Sequence, residues 1–133
     1  MYKMKVRSKI EYLVVVYHGA LTGEQSDRLE SVQKKCLKCI FGRKLYELSY
    51  ENFCLQIGME TLAERRTKLC LKFVKKCLVN HPEMFPIQSS SKNPRTSKIT
   101  QKLQVPFSRS KRYDTSPRVF LAKLYNEQLE VTK

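Results

Sequence analysis

Leu29, Val32, Cys36, Cys39 and Ile40 recur at intervals of three and four, which predicts a single apolar stripe along a helix over residues 22–42. Thr22 and Gln25 have capping-box spacing, Glu30 precedes Lys34 by four, and Gly42 suits the left-handed residue that ends a helix. The longest periodic run follows Thr61, which with Glu64 forms a second capping box. It predicts a helix to about Val79, ended by Pro82. A short helix is expected between Ser49 and Gly58. At the N-terminus, Ile10, Leu13, Val14 and Tyr17 have helical spacing although the run "LVVV" favours a strand; periodicity decides for helix. At the other end Ser116 is placed as an N-cap, Pro117 in the first turn, and Phe120, Leu121, Leu124 and Tyr125 on the apolar face.

Between these helices the stretch "QSSSKNPRTSKITQKLQVPFSRSKRY" holds seven Lys or Arg and no acid, separated by Ser, Thr, Pro and Asn. Such composition buries little and reads as an extended or disordered arm. The sequence therefore predicts an all-α chain: a small helical bundle over residues 1–87, a basic arm over 88–114 and a C-terminal helix over 115–133.

Residues spaced every 100° around the long helix separate into two arcs. Leu69, Cys70, Phe73, Val74 and Cys77 share one; Arg65, Lys68, Lys72, Lys75 and Lys76 share roughly the opposite one. An outer face of one sign repels itself, so it reads first as a phosphate-facing surface and second as a plain solvated face. The whole chain agrees: 26 Lys and Arg against 12 Asp and Glu give +14. Lys92, Arg95, Lys98, Lys102, Arg109, Lys111 and Arg112 extend the basic track, and Phe107 and Tyr113 either stack on bases or pack on the helices. Arg66 falls in the apolar arc, where an unpaired guanidinium is costly. It is expected either to form a structural ion pair, with Glu11, Glu30 or Glu51, or to snorkel outward at the helix start.

Other chemistries lack their parts. Five Cys cannot complete a disulfide framework, and the apolar run at 12–17 is too short for a signal or a membrane span. A reducing, intracellular setting with free thiols follows, with no membrane partner. Cys36 and Cys39, with Cys70, Cys77 and His81, invite a zinc site, but these thiols sit on apolar helix stripes without knuckle turns, so no metal or other cofactor is expected. No phosphate-binding glycine loop, nucleophile–histidine pair or carboxylate cluster is present, so no residue is assigned a catalytic role.

Four segments in order, Ile10-Glu11-Tyr12, Leu29 to Lys34, Met59 to Arg66 and Val105 to Pro117, resemble the C-terminal region of non-LTR retrotransposon reverse transcriptases. The likeness spans nearly the whole chain and corresponds to the thumb and the segment beyond it. It departs after Ser116-Pro117, where Arg118-Val119 stands in place of the family's Ile-Pro. The fingers, the palm with its metal-binding aspartates and the endonuclease have no counterpart, so the resemblance implies a truncated, non-catalytic copy. It further implies sequence-nonspecific RNA or DNA backbone binding, an intact polymerase core as a protein partner and, with "SRSKR", nuclear residence. A helical protein-interaction module and a decayed remnant without function are the alternatives. Six neutralised phosphates give a log–log salt slope of about −4 to −5.

Overall fold

The computed structural model describes residues 2–42, 49–88 and 102–131. The chain is all-α. Its α-helices are α1 (Ser8–Glu11), α2 (Val14–Tyr17), α3 (Gly23–Phe41), α4 (Tyr50–Gln56), α5 (Leu62–Asn80), α6 (Lys111–Asp114) and α7 (Pro117–Val131). A π-helical stretch, Lys3–Arg7, leads into α1, and 3-10 turns follow α2 and α5.

Local chemistry sets the helix ends. Thr22 Oγ1 accepts from the Gln25 amide at 3.3 Å while Gln25 Oε1 accepts from the Thr22 amide at 3.0 Å. Thr61 and Glu64 exchange the same pair of bonds at the start of α5, at 3.3 and 3.2 Å. Ser49 Oγ accepts from Asn52 N ahead of α4. Gly42, at φ 60°, closes α3. The N-terminal helix expected through Ile10, Leu13, Val14 and Tyr17 is interrupted instead. Tyr12 is extended, Leu13 takes φ 53°, and the Leu13 carbonyl accepts from Val16 N at 2.9 Å to start α2 afresh. Tyr17 Oη donates to the Ile10 carbonyl across the break.

The chain forms two compact units, Met1–Leu69 and Cys70–Lys133, and α5 runs from the first into the second. In the first unit Leu37 of α3 packs with Phe53 and Cys54 of α4, flanked by Tyr50, Ile57 and Met59. Phe41 meets Phe53 edge to face, 5.4 Å between centroids. Gln33, one turn before Leu37, is also buried. Its amide is satisfied: Tyr2 Oη donates to Oε1 at 2.7 Å, and Nε2 donates to Tyr50 Oη and the Glu60 carbonyl at 2.9 and 3.1 Å. A buried amide with its bonds made costs little. Glu30 joins three helices. Its carboxylate accepts from the amides of Leu62 and Ala63, at 3.3 and 2.6 Å, and from Tyr50 Oη at 2.8 Å. It thereby places a negative group at the positive end of α5.

The α3 core differs from the predicted stripe. Val32, Cys39 and Ile40 are exposed, and Gln33 and Leu37 face inward. Spacing marks which residues share an arc; the neighbour that arrives, here α4, decides which arc is covered.

In the second unit Cys70, Val74, Cys77, Phe85, Leu103, Val119, Leu121 and Ala122 are buried. Part of the expected basic arm is thus core. Leu103 forms an isolated antiparallel bridge with Ile87, framed by bonds from Gln88 N to the Lys102 carbonyl and from Gln104 N to the Pro86 carbonyl, both 2.8 Å. Asn126 of α7 clamps Leu103 from the other side, accepting from its N–H at 2.8 Å and donating to its carbonyl at 2.9 Å. Ser116 precedes α7 as expected, but its hydroxyl is buried without a hydrogen-bond partner among the described residues; its carbonyl starts the helix by accepting from Phe120 N. Asn126→Ala leaves both polar groups of Leu103 unmet and is expected to cost about 2 kcal/mol. Faster amide exchange confined to residues near 103 is the readout, and unchanged exchange there contradicts the clamp.

Candidate nucleic-acid interface

The basic arc of α5 divides into two chemically different parts. Within the first unit, Arg65 and Lys68 are held by carboxylates. Arg65 Nε donates to Glu11 Oε1 at 2.9 Å and Nη2 reaches Oε2 at 3.5 Å, while Arg7 Nε donates to the same Oε1 at 2.8 Å. Lys68 Nζ donates to Glu60, whose other oxygen lies 4.0 Å from Arg65 Nη1. The Lys68 ammonium holds the Glu60 carboxyl below its ordinary range, and the Glu11 bond raises the Arg65 pKa. Two predicted phosphate contacts are therefore engaged by internal anions.

Within the second unit, Lys72, Lys75 and Lys76 are exposed and enter no ion pair among the described residues. Arg109, Lys111 and Arg112 are likewise exposed and outside those ion pairs. Lys102 is taken by Glu130 at 2.7 Å. Lys92, Arg95 and Lys98 lie outside the described residues. Phe107 is 83% exposed and Tyr113 45%, so neither ring is spent in a core.

Segment 108–114 is anchored by Asp114, which accepts from Lys123 Nζ at 2.6 Å and Ser108 Oγ at 2.8 Å. Those two donors, Lys123 foremost, pull the Asp114 carboxyl below its ordinary value. Ser110 Oγ accepts from Tyr113 N to begin α6, which carries Lys111 and Arg112.

Arg66 requires a correction. It is buried, 1% exposed, but no carboxylate pairs with it among the described residues. Nη2 donates to Ser26 Oγ at 2.5 Å, and Nε and Nη1 are buried without hydrogen-bond partners among those residues. Two of the three expected acids are committed elsewhere, Glu11 to Arg7 and Arg65 and Glu30 to the start of α5, and the third, Glu51, is exposed while Arg66 is buried. Snorkelling is also excluded by the burial. The guanidinium reaches His18 electrostatically: burial first, then the Arg66 charge, lowers the His18 pKa below 6.5. A depressed histidine favours the fold fully above 6.5 and withdraws that contribution as pH falls through the lowered pKa. Thermal stability is expected to drop between pH 7.5 and 5.5, and less so in His18→Gln; equal drops in both proteins contradict the assignment.

The sequence had no marker for the two neutralising acids. Glu60 lies before α5 and eight residues from Lys68, and Glu11 is 54 residues from Arg65, so helical spacing reveals neither. The five Cys are free; Cys54, Cys70 and Cys77 are buried, and burial raises the Cys54 pKa. Among the described residues no group of three or more His, Cys, Asp or Glu is placed to hold a metal ion. No helix among them is long and apolar enough to cross a membrane. No family model, curated protein or solved structure matches the chain.

Proposed function

We propose that this chain binds RNA or DNA through backbone phosphates, without sequence preference and without catalysis, as a remnant of a reverse-transcriptase thumb. One observation carries the reading: Lys72, Lys75 and Lys76 stand exposed, with no ion pair among the described residues, on one helical segment of a chain of net charge +14. Exposed lysine ammonium groups outside internal ion pairs meet phosphates by releasing counterions. Phe107, exposed on the same unit, offers a ring for base stacking where single-stranded segments occur. An intact polymerase core is the protein partner that this origin implies, and the nucleus its setting.

Fluorescence anisotropy with labelled RNA duplex, DNA duplex and single strands of unrelated sequence tests it. Binding that varies little with sequence and competes with bulk polyanion supports the reading; no binding at low salt rejects it. Glu60 acts against this surface by holding Lys68. Glu60→Gln removes that competing anion and is expected to raise duplex affinity by about threefold to fivefold, the size of one exposed ion pair. Unchanged or weakened affinity contradicts the competition.

A further inference from the structure

On α3, Val32, Cys36, Cys39 and Ile40 stand at i, i+4, i+7 and i+8, beside the inward-facing Gln33 and Leu37. Val32, Cys39 and Ile40 are exposed, Ile40 to 56%. Cys36, Cys39 and Ile40 form one side of an open groove of about 400 Å³, and Tyr2 and Val6 belong to the N-terminal helical stretch that completes it. The groove wall is almost wholly apolar, and Lys5 and Lys35 are its charged members among the described residues.

We propose that this groove docks an amphipathic helix flanked by acidic residues, supplied by a partner protein. The α3 side of the groove runs from Lys35 to Ile40, about 8 Å, and exposed Val32, outside the groove and one turn before Cys36, continues the stripe to about 12 Å, the length over which a partner helix presents apolar residues at i, i+3, i+4 and i+7. Among the described residues that line the groove, the two charged ones, Lys5 and Lys35, are both lysines, so the complementary occupant carries carboxylates beside its apolar face. A second copy of this chain brings lysine against lysine at a net charge of +14 each. A small carboxylate amphiphile fits poorly, because small-molecule sites bury most of the ligand and this groove is open along its length. The site shares no residue with the proposed phosphate surface and does not depend on it.

The test uses the full chain and a labelled peptide of about 20 residues, long enough to hold a helix, with leucine at i, i+3, i+4 and i+7 and glutamate elsewhere. A scrambled peptide of the same composition controls for charge alone. The ordered peptide is expected to bind about tenfold more tightly than the scrambled one, and to slow N-ethylmaleimide labelling of Cys39 in the unaltered protein. Ile40→Asp, at an exposed position, is expected to weaken the ordered peptide by about tenfold while leaving duplex binding unchanged. Equal binding of both peptides overturns the proposal. So does unchanged labelling of Cys39, protection of Cys39 by dodecanoate but not by the peptide, or a dimer in sedimentation that Ile40→Asp dissociates.

Discussion

Glu30→Ala is expected to lower stability by about 3 kcal/mol, or roughly 10–15 °C in Tm. The carboxylate accepts from the Leu62 and Ala63 amides and from Tyr50 Oη, so its loss strips three donors at once. Two of those donors are early amides of α5, which have no partner within the helix and attract negative charge. The Tyr50 pKa is raised, by burial first and then by its bond to Glu30, so the phenol stays protonated and keeps donating through neutral pH. Glu30→Gln retains an acceptor without the charge and is expected to lose about half as much. Thermal melts followed by circular dichroism measure both. An alanine variant within about 0.5 kcal/mol of the parent, the range of an ordinary surface change, contradicts the three-helix junction.

Replacing Lys72, Lys75 and Lys76 together with alanine is expected to weaken duplex binding roughly a hundredfold at moderate salt, from about 1 kcal/mol for each ammonium near a phosphate surface. All three side chains are exposed, so the fold is expected to survive, and alanine favours helix. Arg65→Ala is expected to cost affinity less, because its guanidinium is already committed to Glu11. The same two proteins read in a thermal melt invert the order: Arg65→Ala loses stability and the lysine variant does not. Equal affinity losses from Arg65→Ala and from the triple variant contradict the distinction between paired and unpaired cations.

Local rules were legible in the sequence and tertiary choices were not. Thr22 with Gln25 and Thr61 with Glu64 form the capping boxes their spacing announces, because every partner lies within one turn. α5 occupies Leu62–Asn80, one residue beyond the expected end. Its buried side chains, among them Leu62, Cys70, Val74 and Cys77, lie on or beside the predicted apolar arc. Leu103 was unreadable as core, because it lies in a polar, basic stretch and is buried by a clamp from Asn126, 23 residues away. The break at Leu13 was hidden because a helical apolar period continues through it. On α7, Val119, Leu121 and Ala122 are the buried residues, and Phe120, Leu124 and Tyr125, expected on the apolar face, are half-buried. Of the candidate site, the sign and position of the α5 charges could be read directly. Which charges are free could not, since Glu11 and Glu60 reach them only through the fold.

The salt dependence of duplex binding tests this account most directly. Of the proposed contacts among the described residues, Lys72, Lys75, Lys76, Arg109, Lys111 and Arg112 are exposed and enter no ion pair there, and six phosphate contacts give a log–log slope of about −4 to −5. The triple lysine variant is expected to bring that slope to about −2 to −3. A slope near zero, or one that the triple substitution leaves unchanged, contradicts phosphate docking on these lysines.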